Sequence, residues 1–138
     1  MPSNDKSIYR IIDANINRAR EGLRVCEEIA RFVLEDKTLT GKFKNLRHRV
    51  SKNINKLPGV SDALLQCRES KKDIGQRIAN RSKRQDYQDV FYANIQRAEE
   101  SLRVLEEFSK IFNRPLSESF ARFRFEAYNL EKKTIARF

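Results

Sequence analysis

Asparagine, arginine and glutamate side chains recur at one spacing in two parts of the chain. The segment 14–28 returns as 93–107, and eleven of the 15 aligned pairs are identical. The match therefore includes polar positions and not only the hydrophobic pattern, which indicates two copies of one helical unit. The polar residues that share this spacing are Asn15, Arg18 and Glu21 in the first copy and Asn94, Arg97 and Glu100 in the second.

Two of these polar residues in each copy fall inside an apolar helical arc. At about 100° per residue, Asn15 and Arg18 lie within an arc of roughly 200° that is otherwise apolar, and Asn94 and Arg97 do the same in the second copy. A buried amide or guanidinium costs free energy unless its donors are matched. We expect the opposite arc of the first helix to be solvated; its residues are Asp13, Asn17, Arg20, Arg24, Glu27 and Arg31.

Two arrangements would satisfy the buried polar groups, and both can hold at once. In the first, an internal network joins the two copies; its pairs would be Asn15 with Asn94, Arg18 with Glu100, and Arg97 with Glu21. In the second, Arg18 and Arg97 offer forked donors to a phosphate or carboxylate in a pocket between the copies. Glu21 and Glu100 border this arc, where each forms a salt bridge, orients an arginine or holds a metal ion.

Composition supports a helical protein with anionic partners. The 138 residues carry 29 Lys and Arg against 19 Asp and Glu, a formal charge of +10, with only four Gly and three Pro. The excess is concentrated between 66 and 85, where two acidic residues face seven basic ones: Arg68, Lys71, Lys72, Arg77, Arg81, Lys83 and Arg84. His48, the only histidine, stands between two arginines, as a surface residue or a phosphate ligand.

Several functional classes leave no trace in the sequence. It contains no Walker-type phosphate loop, dinucleotide fingerprint, Cys/His metal cluster, Ser-His-Asp arrangement or aromatic RNA-binding motif. Apolar runs are too short to span a bilayer, and the N-terminus lacks the apolar core of a signal peptide. Two cysteines without metal-ligand spacing favour a reduced, cytoplasmic setting.

The pattern predicts an all-α fold built from two helical hairpins related by a pseudo-twofold axis, with four main helices. We expect one domain over 1–138: repeat one at about 7–57, an irregular basic connector at about 58–85 and repeat two at about 86–136. The first helix should run from about Ser7 to Glu35, and the third from near Asp86 to Asn113-Arg114. Pro58-Gly59 should end the second helix, and Pro115 should lie in the first turn of the fourth. The connector should hold a short helix at 61–65 and a turn at 73–75, where Gly75 tolerates a left-handed backbone.

The repeated motif resembles a known family. Asp13-Ala14-Asn15, the run 17–25 and Leu46-Arg47-His48 are similar to the small helical hydroxymethylpyrimidine phosphate kinases of thiamine biosynthesis, a domain also fused to the N-terminus of some thiamine-phosphate synthases. The resemblance extends through Arg68, Asp73-Ile74-Gly75 and the second copy, from about Tyr9 to Lys133. Glu28 departs from it, since the family pattern has Asp there. No (β/α) barrel follows within the 138 residues, so we expect no synthase activity from them.

The resemblance implies a magnesium-dependent kinase that transfers phosphate from ATP to 4-amino-5-hydroxymethyl-2-methylpyrimidine phosphate. Under it, Arg18 and Arg97 would bind phosphates and act catalytically with Glu21 and Glu100. Magnesium ligands would come from Glu21, Glu100 and Asp73. The residues implied to contact the substrate are Asn15, Asn94, Arg68, His48, Asp73 and Gly75.

Alternatives to the kinase stay open at the level of sequence. One is a non-catalytic module that binds the pyrimidine phosphate and docks on a thiamine-phosphate synthase. Another is nucleic-acid binding, which rests on the charge of +10 alone and predicts a steep salt dependence. The expected partners are a small phosphorylated pyrimidine, a nucleotide and a synthase, without membrane contact, and a homodimer stays open as a further association.

Overall fold

The computed structural model describes residues 3–55, 59–78 and 82–138, and every element in these ranges is helical. The predicted all-α class is therefore confirmed. None of the helices in the described ranges has both the length and the apolar content needed to cross a bilayer. The elements are α1 (Ser3–Glu28), which continues as a π-helical turn (Ile29–Val33), α2 (Lys37–Asn55), α3 (Val60–Cys67), two 3-10 turns (Ser70–Lys72 and Ile74–Arg77), α4 (Tyr87–Ser109) and α5 (Arg114–Ile135).

The two long helices that carry the repeated motif form the centre of the molecule. α1 and α4 make the largest contact in the fold, α2 packs on α1, α5 packs on α4, and α2 also touches α5. This confirms the predicted pair of hairpins. At Gly22 the helices approach so closely that a built Cβ atom would lie 2.6 Å from the carbonyl oxygen of Asn94 and 3.3 Å from the Cβ of Ala98. Only glycine allows this approach.

Helix starts follow side-chain caps, while two helix ends differ from the prediction. Asp36, Asp86 and Asn113 each accept a hydrogen bond of 2.9 Å from a backbone N–H three residues ahead. Pro115 stands in the first turn of α5, as predicted. The first α-helix ends at Glu28 because the chain widens into the π-turn, and α4 ends at Ser109 rather than near residue 113.

The connector is more ordered than an irregular loop. The predicted short helix is present and longer, as α3, and a 3-10 turn follows Asp73. The expectation of a left-handed Gly75 was wrong: the Asp73 carboxylate accepts a hydrogen bond of 2.9 Å from Gly75 N–H, and the described glycine with a positive φ is Gly59, at 78°. The predicted stop at Pro58 and the basic residue Arg81 lie outside the described residues.

Buried ion pairs tie each outer helix to its central helix. Glu27, expected on the solvated arc, is 4% exposed and accepts a hydrogen bond of 3.1 Å from Arg47 Nε on α2. Its counterpart Glu106 is also buried and pairs with Arg124 on α5 at 2.8 Å. The helical wheel misplaced Glu27 because periodicity shows which way a side chain points but not that a basic partner will cover it.

A further buried carboxylate, that of Glu99, has no cationic partner among the described residues. Glu99 on α4 is 7% exposed, and its Oε2 atom has no hydrogen-bond partner within the described part of the chain. Burial, followed by the charge of Glu131 and a hydrogen bond with it, raises the pKa of Glu99 to about 8. Burial and the same two carboxylates raise the pKa of the nearby Cys26 thiol. Glu99 therefore holds its proton to a higher pH than an exposed glutamate does.

Replacing Gly22 by alanine should destabilise the fold. The added methyl group would meet backbone oxygen, so we expect the free energy of unfolding to fall by about 1–3 kcal/mol. Gly41 on α2 is the matched control, since a Cβ there would touch nothing within 4 Å. Gly41→Ala should raise the free energy of unfolding by up to about 1 kcal/mol through helix propensity. Urea denaturation of both variants is the measurement, and equal effects would contradict the proposed close approach.

Stability should fall with rising pH because of Glu99. The pKa of Glu99 in the folded protein lies above the ordinary value of 4.5. The stabilisation that its protonated side chain provides is therefore complete below about pH 4.5 and is lost as pH rises through about 8. Glu99→Gln should therefore match the wild type near pH 5 and exceed its free energy of unfolding by about 1–2 kcal/mol near pH 8.5. The exposed Glu118→Gln is the control; parallel pH profiles for all three proteins would refute the buried carboxyl.

Candidate functional site

A cavity of about 600 Å³ opens between α1, α4 and the connector. It brings together six of the residues that the sequence singled out, from three separate segments. One face of α1 supplies most of the wall. The lining residues are Ser7, Arg10, Ile11, Asp13, Ala14, Asn15, Asn17, Arg18 and Glu21 of α1, Arg68, Glu69, Ser70 and Asp73 of the connector, and Arg97 of α4.

The two motif asparagines are satisfied within their own helices. Asn15 Nδ2 donates to the carbonyl oxygen of Ile11 at 2.8 Å, and Asn94 Nδ2 donates to that of Val90 at 2.7 Å. These bonds are equivalent under the repeat. The side-chain oxygen Oδ1 of Asn15 also accepts a hydrogen bond of 3.4 Å from Arg18 Nη1. Asn15 thus orients Arg18 instead of pairing with Asn94.

The motif arginines face the cavity with little carboxylate pairing. Arg97 Nη2 lies 3.9 Å from Glu21 Oε2, and both side chains are at least half exposed. Within the described ranges, Arg18 has no carboxylate oxygen within 4 Å and is solvent-exposed. The internal network expected from sequence is therefore present only as the long Arg97–Glu21 contact. The apolar arc does not bury the guanidinium groups, because a long arginine stem packs on it while the charged end reaches the opening.

Ion pairs bind the connector to α1, so that it forms the third wall of the cavity, beside α1 and α4. Arg68 donates from Nε to Asp13 Oδ2 at 2.7 Å and from Nη2 to Oδ1 at 2.5 Å, a bidentate pair that raises the pKa of Arg68. Lys6 Nζ adds a contact of 3.0 Å to Glu69. Asp13 was expected on the solvated arc but is 9% exposed. The correction has a physical cause, since Arg68 lies over that carboxylate from a segment 55 residues away.

Four of the predicted site residues do not line this cavity. His48 is exposed on α2, and its neighbours Arg47 and Arg49 are paired with glutamates. The others are Asn94, Glu100 and Gly75. The cavity therefore draws on one complete copy of the motif and a single arginine of the second. The connector causes this asymmetry, because it covers the first copy.

The predicted magnesium ligands do not form a metal centre. Glu21 and Asp73 line the cavity but Glu100 does not. Across residues 3–55, 59–78 and 82–138, no group of three or more His, Cys, Asp or Glu side chains could hold a metal ion. The carboxylates here already serve Arg97 and the 73–75 turn. Magnesium commonly takes one or two protein carboxylates together with substrate phosphates, so magnesium binding stays a prediction from the resemblance.

Comparison with known proteins identifies the relationship. The sequence pattern of the ThiD2 family matches residues 10–133, which include the whole repeated motif and the connector. The chain belongs to the ThiD2 family. The sequence resemblance to a small helical family of thiamine biosynthesis is thereby confirmed.

The ThiD2-family chain is also similar to part of several larger proteins. It is 39% identical over 127 residues to the thiamine-phosphate synthase of Synechocystis sp., covering 91% of this chain and 35% of that protein. It is 36% identical over 130 residues to the thiamine-phosphate synthase of Nostoc punctiforme, covering 93% and 35%. The chain thus spans about a third of the length of these relatives. No solved structure matches it.

These relatives overturn the kinase expectation. Their name describes the formation of thiamine phosphate, which is a different reaction from ATP-dependent phosphorylation of the pyrimidine phosphate. The comparisons support thiamine biosynthesis and a relation to thiamine-phosphate synthase, but neither kinase activity nor ATP binding. The error arose because the resemblance carried over an activity, whereas the residues themselves indicated only an anion pocket.

Sequence reasoning missed much of the connector side of the cavity. Helical periodicity assigns Asp13 to the solvated arc, and no sequence pattern singles out Arg10, Glu69 or Ser70, although all four line the cavity. Periodicity could not reveal them, because their place depends on where the connector lies on α1. The signal that was present is the adjacency of Arg68 and Glu69, whose opposite charges reach Asp13 and Lys6 on one helix.

Breaking the Asp13–Arg68 pair should loosen the connector. Asp13→Asn keeps the size of the side chain and removes its charge, so we expect a loss of about 1–2 kcal/mol of stability and faster amide exchange at residues 68–73. Glu28→Gln is the control on the same helix, since the Arg24–Glu28 pair is exposed. Hydrogen-exchange mass spectrometry measures the effect. Unchanged exchange in Asp13→Asn would show that the pair does not hold the wall.

Proposed function

We propose that the chain is a module that binds a phosphorylated pyrimidine in this cavity and is associated with thiamine-phosphate synthase. The observation that carries the proposal is the exposed Arg18 guanidinium, oriented by Asn15 and without a carboxylate partner among the described residues, facing the same cavity as Arg97. A cation left unpaired at the mouth of a pocket suits a phosphate monoester.

The rest of the lining suits a small polar ring. A volume of about 600 Å³ accommodates a molecule of drug size, and the aliphatic side chains Ile11 and Ala14 provide apolar contact area. Asn17 and Ser70 offer amide and hydroxyl groups to the ring nitrogens and its amino group. The phosphate would contact Arg18 and Arg97, while Arg68, already bound to Asp13, would hold the wall.

Association with a synthase is supported by the relatives. The thiamine-phosphate synthases that match this chain contain its whole repeated region within a chain about three times as long. A binding module beside a synthase would hold the pyrimidine phosphate close to the enzyme, which raises its effective concentration there. No phosphoryl transfer by this chain is required.

Replacing Arg18 should weaken ligand binding without unfolding the protein. Isothermal titration with 4-amino-5-hydroxymethyl-2-methylpyrimidine phosphate should show binding by the wild type, and Arg18→Ala should raise Kd at least about tenfold through loss of a charge-assisted hydrogen bond. Arg97→Ala should also weaken binding. Arg20→Ala is the matched control, because Arg20 is exposed on α1 outside the cavity lining.

The unphosphorylated pyrimidine provides the second arm of this experiment. It should bind the wild type more weakly than the phosphate does, and Arg18→Ala should change its affinity little. The proposal fails if the folded wild type binds neither ligand, or if Arg18→Ala and Arg20→Ala lose affinity for the phosphate equally. A mixture with thiamine-phosphate synthase, analysed by sedimentation, tests the association separately.

A further inference from the structure

A second cavity lies on the other side of the bundle, between α2 and α5. Its volume is about 580 Å³. Most of the residues that line it are polar, and they come from the facing sides of α2 and α5. The apolar face of α2, with Leu39, Phe43 and Leu46, is buried in the core instead. Leu130 of α5 is the buried residue at the base of this groove. Nothing in the proposed function uses this groove.

The groove carries unbalanced positive charge. Four cationic side chains line it, and its lining contains one carboxylate, that of Glu126. Arg49 neutralises Glu126 through two bonds, one of 2.8 Å from Nη1 to Oε1 and a second from Nη2 to Oε2. Among the residues described, the other three cations, Lys37, Lys42 and Lys133, have no carboxylate oxygen within 4 Å. The net charge of the lining is therefore +3.

The Asp36 carboxylate, which lies directly before α2, already has partners for both of its oxygens. Asp36, directly before α2, caps the helix through Leu39 N–H at 2.9 Å and forms an ion pair with Arg137. Both of its oxygens are thus committed, one to the backbone and one to a guanidinium. Neither Glu126 nor Asp36 is therefore left to balance the lysines.

Two lysines from different helices, Lys42 of α2 and Lys133 of α5, line the same groove. The nearby Lys42 amine lowers the pKa of Lys133, through a hydrogen bond and through its positive charge. Packing of α2 on α5 holds these like charges together, although their repulsion opposes the packing. A bound anion would remove that repulsion and gain two charge-assisted contacts.

The groove also has space and neutral donors for a ligand. Asn45 Oδ1 accepts a hydrogen bond of 2.6 Å from Arg49 Nε, so the Asn45 amide N–H groups remain as donors. Gly41 lines the groove without a side chain, and a Cβ atom there would meet nothing within 4 Å. The opening between the lysines is therefore unobstructed on the α2 side.

We propose that the groove between α2 and α5 binds the phosphate or diphosphate group of a small molecule, with Lys42 and Lys133 as its principal ligands. Tetrahedral phosphate oxygens accept hydrogen bonds from several directions, which suits ammonium groups that arrive from two helices. A charge of two or more on the ligand matches the excess of three lysines. The site is separate from the Arg18 cavity and does not depend on the function proposed for it.

The test is an NMR titration of the full chain with inorganic diphosphate. In the wild type, the largest amide shifts should fall on 37–45 and 129–133. Lys42→Gln and Lys133→Gln should each raise Kd about tenfold, as expected for a lost charge-assisted contact. Lys44→Gln and Lys132→Gln remove the same charge from exposed positions outside the groove lining and should change Kd less than about twofold.

Two further variants make the outcome decisive. Gly41→Glu places a carboxylate in the open space of the groove, so it should abolish diphosphate binding there. It should also raise Tm at low salt, because the carboxylate offsets the positive charge of the lysines. Arg18→Ala should leave the groove shifts unchanged, whatever it does to pyrimidine binding. The proposal is overturned if shifts appear only near Asn15 and Arg18, or if all four lysine variants weaken binding equally. It is also overturned if the wild type shows no saturable shifts.

Discussion

The close approach of α1 and α4 at Gly22 is the constraint on which the rest of the structure depends. A Cβ atom at this position would lie 2.6 Å from the Asn94 carbonyl oxygen, so the two central helices can meet only because no side chain is there. Their contact places Arg97 of the second repeat against the helix that carries Arg18. One cavity thus receives an arginine from each copy of the motif.

The outer helices are then positioned by ionic contacts that repeat with the fold. Glu27 with Arg47 and Glu106 with Arg124 join each outer helix to its central partner, and all four side chains are largely buried. The attraction within such a pair offsets only part of the free energy that its desolvation costs. The main effect of the pairs is therefore on the register of the outer helices, since a shifted helix would leave a buried charge without its partner. Apolar contacts around Leu23 and Leu102 supply the stability itself.

The connector changes a nearly symmetric bundle into an asymmetric one. By binding Asp13 through Arg68, it covers the first copy of the motif and leaves the second without an equivalent wall. The cavity is not uniformly basic, since its lining holds four arginines and four carboxylates. Arg68 and Arg97 pair with Asp13 and Glu21, whereas Arg10 and Arg18 have no carboxylate oxygen within 4 Å in the described part of the chain. The ligand proposed for this site, a pyrimidine phosphate, would bring a single phosphate group to these arginines.

The sequence by itself determined the repeat and the four long helices, because short-range periodicity and identity encode these features. It also singled out Asn15, Arg18 and Arg97, which the fold brings to one cavity. It could not place Asp13 or Glu27, whose partners lie 55 and 20 residues away and turn apparently solvated side chains into buried ones. The lysine groove was likewise decided only by the tertiary structure. Packing of α2 on α5 brings its charges together, and nothing in the local pattern of either helix records that contact.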